Sequence, residues 1–127
     1  MNAMRRCGAF TLIELLVVLA IIAMLASLTL PRYFHAIEVS KEQVLAENLR
    51  ATRDAIDKFY GDTGRYPDSL DELVDKRYLR ALPFDPVAGN ATSWQIVPPD
   101  AQFKGNVYSL HSGAPGSTRD GHAFAEL

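Results

Sequence analysis

The sequence predicts an α+β fold. A long N-terminal helix, half hydrophobic anchor and half amphipathic, packs against a small head built from a short helix and a two- to three-stranded antiparallel sheet. Three observations carry this expectation. An almost unbroken apolar run extends from Phe10 to Leu30. Beyond it, apolar residues recur every three or four positions as far as Tyr60;. Short β-type runs then appear at Trp94–Val97 and Asn106–His111, bounded by proline and glycine;.

The first run decides the topology. As an α-helix, Phe10–Leu30 rises about 31 Å, close to the thickness of a bilayer's hydrocarbon core. Arg5 and Arg6 precede it, so the positive-inside tendency leaves the short N-terminus in the cytoplasm and sends the head across the membrane;. A removable secretory signal fits poorly. The run is too long for a signal core, it ends at Pro31-Arg32 instead of a small-residue cleavage site, and the amphipathic pattern continues past it;. Glu14 is the anomaly, because a carboxylate near the start of an apolar helix is costly in lipid and marks a functional position. Its partners are Arg5 and Arg6 in the uncut chain, or a free α-amino group on a neighbour after processing.

Behind the anchor, Leu45, Leu49, Thr52, Ile56 and Phe59 mark one stripe, while Glu47, Arg50, Asp54, Asp57 and Lys58 lie away from it;. The charge pairs Glu47/Arg50 and Asp54/Lys58 suit an exposed face. This helix, over 32–60, ends near Gly61, with Asp62-Thr63-Gly64 as the turn. Pro31 reads either as a kink within one long helix or as a helix boundary at the membrane surface.

In the head, Ser69 followed by Glu72 is a capping-box signature that starts a second helix running to about Lys76. Pro83 and Pro86 flank Phe84 in a fixed corner, pinned by the aromatic ring and with Asp85 capping a turn. Alternation along the second strand puts Val107, Ser109 and His111 on one face and Tyr108 and Leu110 on the other. A third short strand is expected at 122–126.

Composition narrows the function. The chain has 127 residues and a net charge of -2, with Lys and Arg scattered among Asp and Glu instead of gathered into a nucleic-acid groove;. Its single cysteine, Cys7, lies in the N-terminal segment before the apolar run, so the remainder carries no disulfide;. The three histidines, His35, His111 and His122, have no metal-site spacing;. Ser109 and Ser112 lack a nucleophile-elbow context, and no glycine loop has a phosphate-binding frame. An enzyme is not expected.

Residues 10–14, Phe-Thr-Leu-Ile-Glu, after a short basic segment, resemble the start of type IV pilins and of the pseudopilins of type II secretion. The head extends the likeness toward the major pseudopilins through Gly64-Arg65-Tyr66-Pro67, Leu82-Pro83-Phe84-Asp85-Pro86 and Tyr108-Ser109-Leu110. The resemblance implies a type IV pilin-like fold in three parts: a cleaved leader at 1–9, a transmembrane and polymerisation helix at 10–30, and a periplasmic head at 31–127. It implies a structural subunit of a periplasmic pseudopilus that drives protein export. Its partners would be copies of itself, minor pseudopilins, a prepilin peptidase and an inner-membrane assembly platform. A type IV pilus subunit for adhesion, motility or DNA uptake is the alternative.

The resemblance also assigns roles. Glu14 would pair with the new amine of an incoming subunit and so set the register of assembly, while Pro31 would kink the arm. Phe10 would be the N-methylated terminus. The chain departs from the family at the cut, where Ala9 stands between Gly8 and Phe10, so cleavage after either Gly8 or Ala9 is open. Major pseudopilins also hold a calcium ion in an acidic C-terminal loop. Here Asp120 is the one evident carboxylate, beside Arg119, with the carbonyl of Leu110 among the backbone oxygens that could assist;. Cleavage after Ala9 keeps the glutamate fifth from the new amine. Mass analysis of the mature N-terminus should therefore find N-methylated Phe10; a chain starting at Ala9 would exclude that register.

Overall fold

In a computed structural model, residues 10–127 are described; the expected cleavage positions Gly8 and Ala9 lie outside them. The chain divides into two units, one ending at Glu38 and the other spanning Val39–Leu127. Helix α1 covers Leu12–Thr63 and includes Pro31.

In the first unit, α1 exposes almost every side chain of its apolar run. Helicity persists up to and across Pro31 although a proline there removes one amide donor;. Just before it, hydroxyls bond back to the preceding turn: Ser27 Oγ donates to the Ala23 carbonyl at 2.8 Å, and Thr29 Oγ1 to that of Ala26 at 3.2 Å. Such bonds hide the polar tips of Ser and Thr within an otherwise apolar surface.

In the second unit the expected stripe becomes the core. Leu45, Leu49, Thr52, Ile56 and Phe59 are all buried, and Glu47, Arg50, Asp54, Asp57 and Lys58 are all exposed. Leu73, Val107, Leu110, Ala114 and Phe124 complete the apolar cluster. Each fully buried Leu, Ile or Phe contributes roughly 1.5–3 kcal/mol relative to exposure. Of the two expected ion pairs, Glu47–Arg50 forms at 2.5 Å; Asp54–Lys58 is absent among the described residues. The helix ends at Thr63, two residues beyond the expected Gly61. Gly64, not Gly61, takes the left-handed conformation (φ 75°), and its N–H donates to the Tyr60 carbonyl at 2.8 Å;.

Helix α2 covers Leu70–Asp75, and Ser69 is its N-cap. Only half of the expected capping box forms. The Ser69 hydroxyl accepts from the Glu72 N–H at 3.4 Å, whereas the Glu72 carboxylate pairs with Arg65 Nη2 at 2.7 Å. Tyr78 follows α2, and its hydroxyl donates to Asp62 Oδ2 at 2.6 Å, a bond that holds the phenol pKa above its ordinary value;.

The sheet has two antiparallel strands, β1 (Gln95–Val97) and β2 (Ser109–His111), with Ile96 opposite Leu110. Both are shorter than expected. Residues 106 and 107 leave the ladder because their N–H groups donate to the Pro67 carbonyl, at 3.1 and 3.0 Å. That detour removes the expected alternation, so Val107 and Leu110 are both buried. The expected strand at 122–126 is instead a short 3₁₀ helix, Phe124–Glu126, preceded by a single bridge between Ser117 and Ala123. Its role is to turn Phe124 into the core.

The 83–86 corner is pinned differently from expectation. Phe84 is half exposed, and the corner is closed by polar groups instead. Trp94 Nε1 donates to the Pro83 carbonyl at 2.8 Å and Asn48 Nδ2 to that of Phe84 at 2.6 Å. Asp85 caps the turn as expected: it is fully buried, and its Oδ1 accepts from the N–H groups of Val87 and Ala88 at 2.9 and 3.0 Å. Its Oδ2 accepts from the Ser112 hydroxyl, which in turn accepts from the Ala114 N–H. Asp85→Ala strands three donors, the buried Ser112 hydroxyl and two half-buried N–H groups, and should destabilise the head by about 3 kcal/mol, read by denaturant unfolding;. Asp85→Asn keeps one acceptor oxygen and should cost about half as much.

Candidate assembly site and the C-terminal loop

The arm is a surface without a covering partner in the isolated chain. Leu12, Ile13, Leu16, Leu19, Ile22 and Leu28 each expose more than half of their area. The helix contains a stretch long and apolar enough to cross a membrane. Such a surface is stable only in lipid or against other apolar helices, because leaving it in water forfeits the burial energy of every one of these side chains.

Glu14 stands in the first turn of this arm. Its N–H donates to Thr11 Oγ1 at 3.2 Å, and its Oε2 accepts from the Thr11 N–H at 3.4 Å. This is a reciprocal capping box, which satisfies two of the amide donors that a helix start leaves orphaned. The spacing of Thr11 and Glu14, three residues apart, is the sequence signature of this box, which gives the carboxylate a use within its own chain;. The box also places an anion at the positive end of the helix dipole. Both bonds are long and the group is exposed, so the carboxylate retains free acceptor capacity for a cation brought by another chain;. Phe10, just ahead of the box, is the most exposed large side chain of the arm.

The second candidate site is the C-terminal loop. Leu110 lies in β2 and is fully buried, whereas Asp120 is exposed in the turn closed by Gly121 N–H to the Thr118 carbonyl at 3.0 Å. The Leu110 carbonyl already has a cationic partner. Arg53, on the buried side of α1, donates from Nη2 to that oxygen at 2.8 Å and to the main-chain oxygen of Leu127, and from Nε to Ser109 Oγ at 3.3 Å. Arg119 is held from the other side: its N–H donates to Glu42 Oε1 at 3.1 Å and its Nε to Glu42 Oε2 at 3.4 Å.

This arrangement does not fit a calcium ion. Calcium asks for six to eight oxygens, several of them anionic. Among the described residues no group of three or more His, Cys, Asp or Glu is gathered to hold a metal. A divalent cation ~4 Å from a guanidinium would also meet a repulsion of roughly 8 kcal/mol at an effective dielectric near 20. Of the histidines, His35 and His122 are exposed, and His111 is half-buried in β2 with its Nδ1 enclosed and unbonded. Two surface grooves of the head, one lined by residues including Leu70, Trp94 and Ile96 and the other by Tyr66, Phe103 and Tyr108, lie apart from His111 and Asp120 among the described residues.

Comparison with known proteins bears on the arm and on the chain as a whole. A prokaryotic N-terminal methylation motif matches residues 4–30. The type II secretion system core protein G of Aeromonas hydrophila is 31% identical over 91% of this chain and 90% of its own length. That of Klebsiella pneumoniae is 31% identical over 92% and 94%. The type IV major pilin protein PilA of Myxococcus xanthus is 32% identical over 72% of this chain but only 37% of its own length. No solved structure matches significantly. With a likeness to core protein G that takes in the arm, the amphipathic helix and the head alike, the chain belongs to the family of type II secretion core protein G, the G-type pseudopilins.

Proposed function

We propose that this chain is a main-shaft structural subunit of a type II secretion pseudopilus, polymerising through its N-terminal helix to drive protein export. The observation that carries this reading is the exposed apolar arm with one carboxylate at its start, on a chain whose head buries its own core. Before assembly the arm spans the inner membrane once, with the N-terminus in the cytoplasm and the head in the periplasm. In the filament the same surface is covered by the arms of other copies. The chain carries no catalytic role; its work is mechanical.

The site residues take parts in that cycle. A prepilin peptidase cuts the basic leader between Ala9 and Phe10, and Phe10 becomes the methylated terminus. Its amine, still positive, reaches Glu14 of a subunit already in place. A buried ion pair adds little net stability, yet a missing partner is expensive, so the pair fixes how far one arm slides along the next. Pro31 supplies the local bend or unwinding that packing of the arms demands. Minor pseudopilins and the inner-membrane platform are the remaining partners. The type IV pilus alternative is weaker, because the likeness to the Myxococcus pilin stops well short of that protein's length while the likeness to core protein G spans nearly all of it.

Two substitutions separate the charge of Glu14 from its capping role. Glu14→Ala should insert in the membrane normally and yield no sheared or cross-linked filaments. Glu14→Gln keeps an acceptor for the Thr11 N–H but removes the charge, and it should fail to polymerise as well. Normal filaments from the Gln variant would show that the residue serves only as a helix cap, and normal filaments from the Ala variant would remove it from assembly altogether.

A further inference from the structure

We propose that the C-terminal loop of this pseudopilin is held by an internal cation, the Arg53 guanidinium, in the office that a calcium ion serves elsewhere in the family, so that the head folds and persists without calcium. The inference concerns the head alone and stands whether or not the arm polymerises.

The geometry points to it through what the guanidinium joins. From one position on α1, Arg53 bonds Ser109 and Leu110 in β2 and the main-chain oxygen of Leu127 beyond the 3₁₀ helix. These are the two ends of the segment that a metal would otherwise close. Bridging several oxygens with one charge is what a hard cation does in such a loop, and the five donors of a guanidinium do the same through hydrogen bonds.

The rest of the loop is also satisfied by protein. Its tip is fastened by Arg119 to Glu42, on the same helix as Arg53. Its turn closes on itself, with the Thr118 N–H donating to the His122 carbonyl at 2.7 Å. Its start is anchored through Ser112 to buried Asp85, and Phe124 seats its end in the core. Gly113 permits the loop's start to pass close against residue 93, because a Cβ there would come within 1.9 Å of the Ser93 carbonyl oxygen. Asp120, the single carboxylate between β2 and the 3₁₀ helix, is exposed beside Arg119 and joins none of these ties.

Thermal unfolding of the full chain in detergent, with about 1 mM calcium chloride or with chelator, tests the proposal directly. The two midpoints should agree within about 1 °C, whereas a calcium-dependent rise of more than about 5 °C would overturn it. Tryptic cleavage after Arg119 reports the loop itself. The wild-type chain should be equally resistant with calcium and with chelator, and Arg53→Ala should open the site in both. Arg53→Lys, which keeps the charge but loses the fork, should fall between them. Resistance in Arg53→Ala equal to wild type would also overturn the proposal. Should Arg53→Ala fail to fold, Glu42→Ala, which releases only the Arg119 end, should raise cleavage in a calcium-independent way; protection restored by calcium in that variant would refute the idea.

Discussion

One helix must satisfy two different solvents, and the remainder of the protein follows from how it does so. In its first part α1 is apolar on every side, which suits lipid or the interior of a bundle of like helices;. From Leu45 onward it is apolar on one side only, which suits a single covering layer. The change from the first pattern to the second limits what the head can be. With only one face of a few turns to cover, a small sheet, a six-residue helix and a folded tail suffice;.

So small a covering layer has little apolar area, and its closure depends on polar ties between segments distant in sequence. Asp85 is the inner one. Fully buried, it accepts three hydrogen bonds and joins the 83–86 corner to the start of the tail. Arg53 is the outer one, linking α1 to β2 and to the tail's end. A carboxylate and a guanidinium used in this way obey the same rule. A buried charge is tolerated where hydrogen bonds replace its water, and removing its partners costs more than the bonds themselves contribute. The aromatic group of Tyr60, Tyr66, Phe103 and Tyr108 adds a second cluster outside the main core, with Tyr60 and Tyr66 stacked at 4.6 Å;.

What the sequence made legible follows from which forces are local. The stripe from Leu45 to Phe59 was readable because helical periodicity is imposed by the backbone, and each of its five residues is buried. The Asp85 turn and the Ser69 cap were readable because side chains that cap turns and helix starts act over two or three residues. Two departures in the head share one cause, competition from partners outside the local pattern. Arg65 took the Glu72 carboxylate from its box, and the Pro67 carbonyl drew residues 106 and 107 out of their strand. The roles of Asn48 and Trp94 at the corner, and of Arg53 in the tail, depend on separations of 11 to 74 residues that no local pattern records. Thr11 is a different case. Its signature is local and complete, and it stands beside the separate expectation that a carboxylate in an apolar arm takes a partner on another chain.

Those two readings of Glu14 are compatible, and their combination explains why an acidic residue belongs at that position. In a single chain the carboxylate is partly paid for by closing the Thr11 N–H and by the helix dipole, so an anion near the membrane surface is less costly than its charge suggests;. The bond it makes is long and exposed, and a carboxylate has acceptor sites to spare;. A cation from a neighbouring arm can therefore join without first displacing the cap. The helix start is thereby built in advance and its anion held in place before assembly begins. In the proposed filament, preorganisation of this kind would lower the entropy lost on pairing and make one register of the arms better satisfied than a slip by a turn in either direction.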